Sequence, residues 1–169
     1  MQTFWQRMAV CGAGMMLAGA VQAQVTVSDA WVRATVPGQK STGAFMTLQA
    51  AQDAKLVGAK SDVAAATEVH EMKMEGDIMR MREVDSVTLP AGHAVELKPG
   101  GYHIMLLDVK QQMKAGDHVE LTLETEDANG KRHSQQVQAE VRPLTAAGGG
   151  GHGGHGGHGG HGGHGGHGH

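Results

Sequence analysis

The chain has 169 residues and a formal net charge of −3, with 14 Lys and Arg against 17 Asp and Glu. It contains no long basic run, which argues against a nucleic acid or an anionic membrane surface as its partner. Cys11 is the single cysteine, so no internal disulfide can form and the fold depends on a packed core.

The first 23 residues are typical of a secretory signal peptide. Arg7 supplies a positive charge, residues 8–20 are an apolar run, and Val21-Gln22-Ala23 fits a cleavage site. The run is shorter than the roughly 20 residues of a membrane span, which favours cleavage before Gln24 and export to an oxidising compartment over a retained anchor. Cys11 follows no lipoprotein motif and leaves with the signal. The mature chain then has no cysteine, no membrane span and a net charge near −4.

Residues 24–147 are predicted to form one β domain of short strands separated by turns. The expected strands are 25–27, 30–33, 44–48, 94–97, 102–109, 119–125 and 135–141. Asn129-Gly130 is a strong hairpin signal that joins the last two strands. A turn of helix is expected within residues 62–68. This spacing predicts an all-β Greek-key sandwich or barrel, with the strand order left open.

A second hairpin is predicted over residues 70–81, with Gly76-Asp77 as a two-residue turn. Alternation places His70, Met72 and Met74 on one face of its first strand. The expected cross-strand pairs are Met74 with Met79 and Met72 with Met81. His70 then lies diagonal to Met81, within side-chain reach. The opposite face is charged and is expected to be solvated.

A methionine stripe alone is typical of a core face, because methionine fills cores readily. Histidine is a poor core residue without partners, yet His70 lies in this stripe. A second group, His103-Ile104-Met105, repeats the combination, with His103 and Met105 two residues apart and therefore on one face. We therefore interpret His70, Met81, His103 and Met105 as a metal site.

This set of donors favours Cu(I). Thioether sulfur is soft and prefers Cu(I), and imidazole accepts copper in either oxidation state. All four ligands are neutral when bound, so none offsets a divalent charge, and zinc more often takes thiolate, imidazole and carboxylate ligands. Methionine also avoids the disulfide formation that threatens a thiolate in an oxidising compartment.

The spacing His-x10-Met-x21-His-x-Met, from His70 to Met105, resembles the signature of the periplasmic copper chaperones of the PCuAC type. The resemblance covers most of residues 30–123 and includes Leu89-Pro90-Ala91-Gly92 and residues 96–106. It implies a cupredoxin-like β-sandwich with an exposed Cu(I) site. It also implies delivery of copper to the Cu(A) centre of cytochrome c oxidase, with the copper-receiving subunit and a Sco-type thioredoxin-like protein as partners.

Residues 148–169 repeat His-Gly-Gly and are too polar and glycine-rich to fold alone. We interpret them as a flexible metal-binding tail that captures Cu(II); the alternative is a purification tag, although common tags are contiguous histidines. The tail histidines are His152, His155, His158, His161, His164, His167 and His169. The remaining histidines, His93, His118 and His133, are expected to be solvated turn residues.

The leading hypothesis is a copper metallochaperone, and the alternative is a copper buffering or resistance protein without a dedicated client. A copper enzyme or electron carrier is not expected. Blue-copper sites need a cysteine ligand, and a histidine brace needs histidine at the mature N-terminus, where Gln24 is expected. No catalytic nucleophile–base arrangement stands out in the sequence.

Overall fold

Ten β-strands lie between Val25 and Arg142 in the computed structural model, which describes residues 24–145. Their bounds are β1 Val25–Arg33, β2 Ser41–Ala50, β3 Ala54–Lys60, β4 Ala66–Glu75, β5 Ile78–Glu83, β6 Val87–Leu89, β7 Ala94–Leu97, β8 Tyr102–Leu107, β9 His118–Asp127 and β10 Arg132–Arg142. Within these residues no helix is long and apolar enough to cross a membrane. The expected signal peptide, the end of the predicted domain at residue 147 and the His-rich tail lie outside the described residues.

Nine strands follow one hydrogen-bonded path, in the order β5-β4-β8-β2-β1-β10-β9-β3-β6. The neighbours are antiparallel except β1 and β10, which run parallel. β7 and β8 both pair with β2, β7 through Met46 opposite Leu97 and β8 through Ala44 opposite Ile104. Residues 98–103 lie between these two pairings, where Phe45 separates Ala44 from Met46 on β2. The predicted all-β class is confirmed.

The chain around β3 and β4 differs from the prediction. The predicted helical turn within residues 62–68 is wrong, because residues 62–65 form a turn and bends and β4 already begins at Ala66. The pairing of β4 with β8 places Val69 opposite Ile104, both buried, and this burial outweighs the helix preference of the nearby alanines. Strands β3 and β6, which were not predicted, pair with each other.

The two strands predicted at 25–27 and 30–33 form the single strand β1. Its register against β2 shifts between Ser28 and Trp31, and Asp29 between them has a φ of +49°. Aspartate tolerates this left-handed conformation better than most residues, so the irregularity is accommodated as a bulge within a continuous strand.

The sheet has two different faces around β2. Ala44 and Met46 belong to the main apolar core together with Ile104. Alternation places Phe45 on the other face, where its ring centroid lies 4.4 Å from that of Trp31. Both aromatic residues are buried, and they form a smaller layer on the face opposite the main core.

Candidate metal site

The hairpin of β4 and β5 has the register that its sequence predicts. Gly76 has a φ of +63° at the first central position of the turn, as a type II′ turn requires. Met74 lies opposite Met79, and Met72 lies opposite Met81. His70 pairs with Glu83, so His70 is diagonal to Met81 on the same face. The predicted hairpin geometry is confirmed.

β8 completes the group from the other side of β4. His70 lies directly opposite His103, and Glu68 lies directly opposite Met105. The two imidazole centroids are 5.8 Å apart, with an angle of 50° between the ring planes. The four predicted residues therefore lie on three neighbouring strands and share one face, with Met81 on β5, His70 on β4, and His103 and Met105 on β8.

This face is opposite the main core. Val69 and Ile104, the neighbours of His70 and His103 along their strands, point inwards and are buried. His103 is only 6% exposed and lies beside the Phe45 ring, whereas Met81 is 50% exposed. The site thus has a deep histidine end and an open methionine end, and the methionines of this hairpin do not fill the interior.

Hydrogen bonds hold each imidazole by one nitrogen and leave the other free. His103 Nδ1 donates to the carbonyl of Gly101 at 3.1 Å, so Nε2 retains its lone pair. His70 Nε2 donates to the carboxylate of Glu68 at 2.7 Å, so the lone pair is on Nδ1. Within residues 24–145, this Nδ1 is buried and has no hydrogen-bond partner. A carboxylate or carbonyl on the second nitrogen is the usual arrangement for metal-binding histidines.

The distance between the imidazoles suits a shared ion. Metal–imidazole bonds are about 2 Å long, which places two rings on one ion with centroids on the order of 6 Å apart. The observed 5.8 Å between His70 and His103 is in this range. The buried, unpaired Nδ1 of His70 is therefore placed to accept a metal ion in place of a hydrogen bond.

An aromatic wall borders the deep end of the site. The Phe45 ring centroid lies 6.1 Å from that of His103. The same ring lies over Gly43, where an added β-carbon would be 2.8 Å from Phe45 Cζ. Gly43 is also the residue opposite Met105 on β2. A side chain at position 43 would displace the wall beside Met105, which explains why glycine occupies this position.

Burial is the main reason that the pKa of His103 lies below its ordinary value, since the charged form loses hydration. The charges of His70 and Arg33 lower it further, and the hydrogen bond to Gly101 opposes the shift. The neutral imidazole, which is the form that binds metals, is therefore favoured at His103.

A metal site with three or more ligands on this face would have to include methionine. Among residues 24–145, no group of three His, Cys, Asp and Glu side chains is arranged to hold a metal ion. The sequence analysis missed Glu68, Gly43 and Phe45 as neighbours of the site. Glu68 could have been found from its position two residues before His70 on one strand, whereas Phe45 and Gly43 reach the site only through the pairing of β2 with β8.

The other histidines lie elsewhere. His93 is exposed in a turn, and His118 is exposed at the start of β9. His133 is not a turn residue: it lies in β10, with Nε2 3.0 Å from the carboxylate of Asp127. The histidines of the tail are outside the described residues.

Solved structures share this fold. The apo PCuAC domain from PmoF1 is 24% identical to the chain with a TM-score of 0.58, and the match covers 71% of this chain and 94% of that domain. This likeness supports the cupredoxin-like β fold. The Cu(I) form of DR1885 from Deinococcus radiodurans is 33% identical with a TM-score of 0.56, over 74% of this chain and 83% of that one.

Sequence relatives place the chain in a family. "Putative lipoprotein Lxx21020" of Leifsonia xyli subsp. xyli (strain CTCB07) is 34% identical over 106 residues, which are 62% of this chain. The chain spans 64% of the length of the curated relatives it matches. The family model described as "Putative lipoprotein LpqE-like" matches residues 25–141. The chain therefore belongs to the LpqE-like family.

Proposed function

We propose that this protein is an exported copper metallochaperone, which binds one Cu(I) through His70, Met81, His103 and Met105 and passes it to a client. The observation that carries the proposal is the cross-strand pair of imidazoles on a face shared with thioethers and opposite the core. The solved Cu(I) form of DR1885, a protein 33% identical to this chain, supports copper as the cargo.

The donor chemistry supports Cu(I) over divalent ions. The four side chains bring two thioethers and two neutral imidazoles, which suit a soft monovalent ion. Glu68 contacts the imidazole of His70 and orients it. A zinc site on this face would lack the three His, Cys, Asp or Glu ligands that zinc usually takes, as judged from residues 24–145.

The uneven burial of the site suits transfer. His103 is enclosed, so it holds its position, whereas Met81 lies on the exposed edge strand β5. A client ligand would approach from the open side and displace Met81 first. Cu(I) then moves by ligand exchange, with one thioether–copper bond breaking as a client–copper bond forms.

The client and compartment are part of the proposal. We propose that the protein acts in the periplasm after cleavage before Gln24, and that copper goes to the Cu(A) centre of cytochrome c oxidase. The copper-receiving subunit and a Sco-type protein would be the partners. In the alternative, a buffering or resistance protein, the same site sequesters copper without a client. The domain is non-enzymatic in both cases.

Copper transfer separates the two functions. The Cu(I)-loaded protein is mixed anaerobically with the soluble copper-receiving domain of the oxidase subunit, the two proteins are separated at timed intervals, and the copper in the receiving domain is measured. The comparison is a small-molecule chelator that releases Cu(I) at the same free concentration. A chaperone loads the client faster than the chelator does. Equal rates would favour buffering. X-ray absorption of the protein with one equivalent of Cu(I) tests the site itself, since a shell of oxygen and nitrogen only would contradict it.

The His-rich tail is proposed to capture Cu(II). Its seven histidines from His152 to His169 offer imidazole ligands, which accept Cu(II), but no thioether. Truncation before Gly148 should remove most Cu(II) uptake and leave Cu(I) bound at the domain unchanged, as measured by titration with each ion. Equal Cu(II) uptake by both forms would exclude the tail as a metal site.

A further inference from the structure

Four methionines form two stacked pairs along the β4–β5 hairpin. Met72 lies opposite Met81, and Met74 lies opposite Met79, one step closer to the turn. Only Met81 belongs to the site proposed above. We call the other three, Met72, Met74 and Met79, the methionine tip.

The tip does not serve the core. Met74 is 54% exposed and Met79 is 48% exposed, whereas Met72 is half-buried. By contrast, Met46 and Met113 are buried in the main core. β5 pairs with β4 alone and ends the strand path, so no further strand in residues 24–145 covers these side chains. Exposed methionines on a structural edge need a reason other than packing.

Charge is segregated away from the tip. Glu71 pairs with Arg82 at 2.9 Å, and Glu75 pairs with Arg80 at 2.9 Å. By strand alternation, these ion pairs lie on the face opposite the methionines. No lysine or arginine of β4 or β5 shares the methionine face, so a cation there would meet no repulsion from its own hairpin.

We propose that Met72, Met74 and Met79 form a second Cu(I) site, weaker and more exposed than the site at His70 and His103. Directly opposed side chains are about 4.5–5.5 Å apart at their β-carbons, so the long thioethers of Met74 and Met79 converge on one ion. Three thioethers form a soft donor set that selects Cu(I) over the hard cations of the surroundings.

The tip lies beside the first site. Two residues along a strand span about 7 Å, which separates the Met74–Met79 pair from the Met72–Met81 pair. Copper captured at the tip would pass to Met81 by exchange of one thioether for another, with no change of oxidation state. This role as an entry step rests on the proposed function, whereas binding at the tip does not.

The test follows the ε-methyl resonances of the methionines in the full chain during anaerobic titration with Cu(I) supplied as its acetonitrile complex. The expected result is that Met81 and Met105 shift with the first equivalent, and Met74 and Met79 shift as further Cu(I) is added. In the double variant Met74→Leu/Met79→Leu, the first event should remain, and the ε-methyl resonance of Met72, which still reports on the tip, should no longer shift as further Cu(I) is added. Because both side chains are exposed, this variant retains its fold.

Two further variants make each outcome decisive. Met46→Leu, in the core, is the matched control and should keep both events. His103→Ala should weaken the first event and leave the shifts of Met74 and Met79, so failure of the first site is distinguishable from failure of the tip. If the resonances of Met74 and Met79 stay unmoved in several-fold excess Cu(I), the tip is not a metal site and the exposed methionines form an apolar contact surface instead.

Discussion

The β4–β5 and β9–β10 hairpins share one architecture and serve opposite purposes. Both are antiparallel pairs joined by short turns with a glycine at positive φ. In β9 every second side chain from Val119 to Thr125 is buried, whereas every residue of β5 is exposed. The same local geometry therefore supports the core in one case and presents donor atoms to solvent in the other. The place of each hairpin in the strand order makes the difference, since β5 ends the path and β9 lies inside it.

The largest contrast between the two hairpins should appear in the free energy of unfolding when a side chain is truncated to alanine. Leu121→Ala in β9 removes a fully buried side chain and should lower the free energy of unfolding by about 2–5 kcal/mol. Met79→Ala in β5 should change it by no more than about 0.5 kcal/mol, as is usual for an exposed site. Urea denaturation of the apo proteins measures both. A large loss at Met79 would mean that β5 packs against something after all.

Copper affinity should show the reverse contrast. Met81→Leu or Met105→Leu should lower Cu(I) affinity by about tenfold or more, which corresponds to about 1.4 kcal/mol. Both replacements roughly conserve volume and should cost less than about 1.5 kcal/mol of apo stability. Chelator competition and urea denaturation give the two numbers. Met113→Leu, in the core, serves as the control. Unchanged affinity with collapsed stability would identify these methionines as packing residues.

Acid should weaken copper binding at the site beside the β4–β5 hairpin. His70 and His103 bind copper only as neutral imidazoles, so protons compete with Cu(I), with affinity falling by up to about tenfold per pH unit for each protonated histidine. Burial lowers the pKa of His103, so its own loss begins below its ordinary value of 6.5. Chelator competition between about pH 8 and about pH 5 measures how steeply the Cu(I) affinity falls with pH. A flat profile would exclude histidine ligation.

The two turns should respond equally in stability and differently in function. Gly76 and Gly130 have φ values of +63° and +78°, and an added β-carbon at either would meet no atom within 4 Å. Alanine at each position should therefore cost about 1–2 kcal/mol from the backbone alone. Only Gly76→Ala should also weaken Cu(I) binding, because that turn sets Met72 opposite Met81. Equal weakening by Gly130→Ala would contradict a local role for the first turn.

The smallest effect is expected on the acid stability of the protein, at Asp127 beside the turn of the β9–β10 hairpin. The hydrogen bond from His133 is the main cause that lowers the pKa of Asp127 below its ordinary 3.8, aided by the backbone of Lys131 and Asn129. A lowered folded-state pKa gives stability that is present above 3.8 and lost as pH falls through the lowered value. Asp127→Asn should remove this dependence in acid denaturation without changing copper binding. An unchanged acid profile would contradict it.

Local chemistry made the hairpins predictable. Gly76-Asp77 and Asn129-Gly130 are turn signals, and alternation then gives the pairs of Met72 and Met74 with no knowledge of the rest of the fold. The prediction of a helical turn was wrong for the opposite reason. Ala66 and its neighbours favour a helix locally, and only pairing with a distant strand overrides that preference.

The candidate site shows the same division. The spacing of His103 and Met105 within β8 was readable from the sequence, as was the link between His70 and Met81. The direct opposition of His70 and His103 depends on β4 pairing with β8, which no short-range signal encodes. Phe45 could not be predicted either, because its contact with His103 depends on β7 and β8 both pairing with β2, on either side of Phe45.

The parallel pairing of β1 with β10 fixes how far the end of the last strand lies from the candidate site. Ile104, Ala44, Val32 and Val141 form one continuous row across four strands. At about 4.8 Å per strand, Val141 is only about 14 Å from the residue between His103 and Met105. The 11 residues from Val141 to His152 would span at most about 40 Å if fully extended, more than twice this distance. If His152 binds an ion as proposed, this reach would present that ion to the site at a local concentration on the order of millimolar.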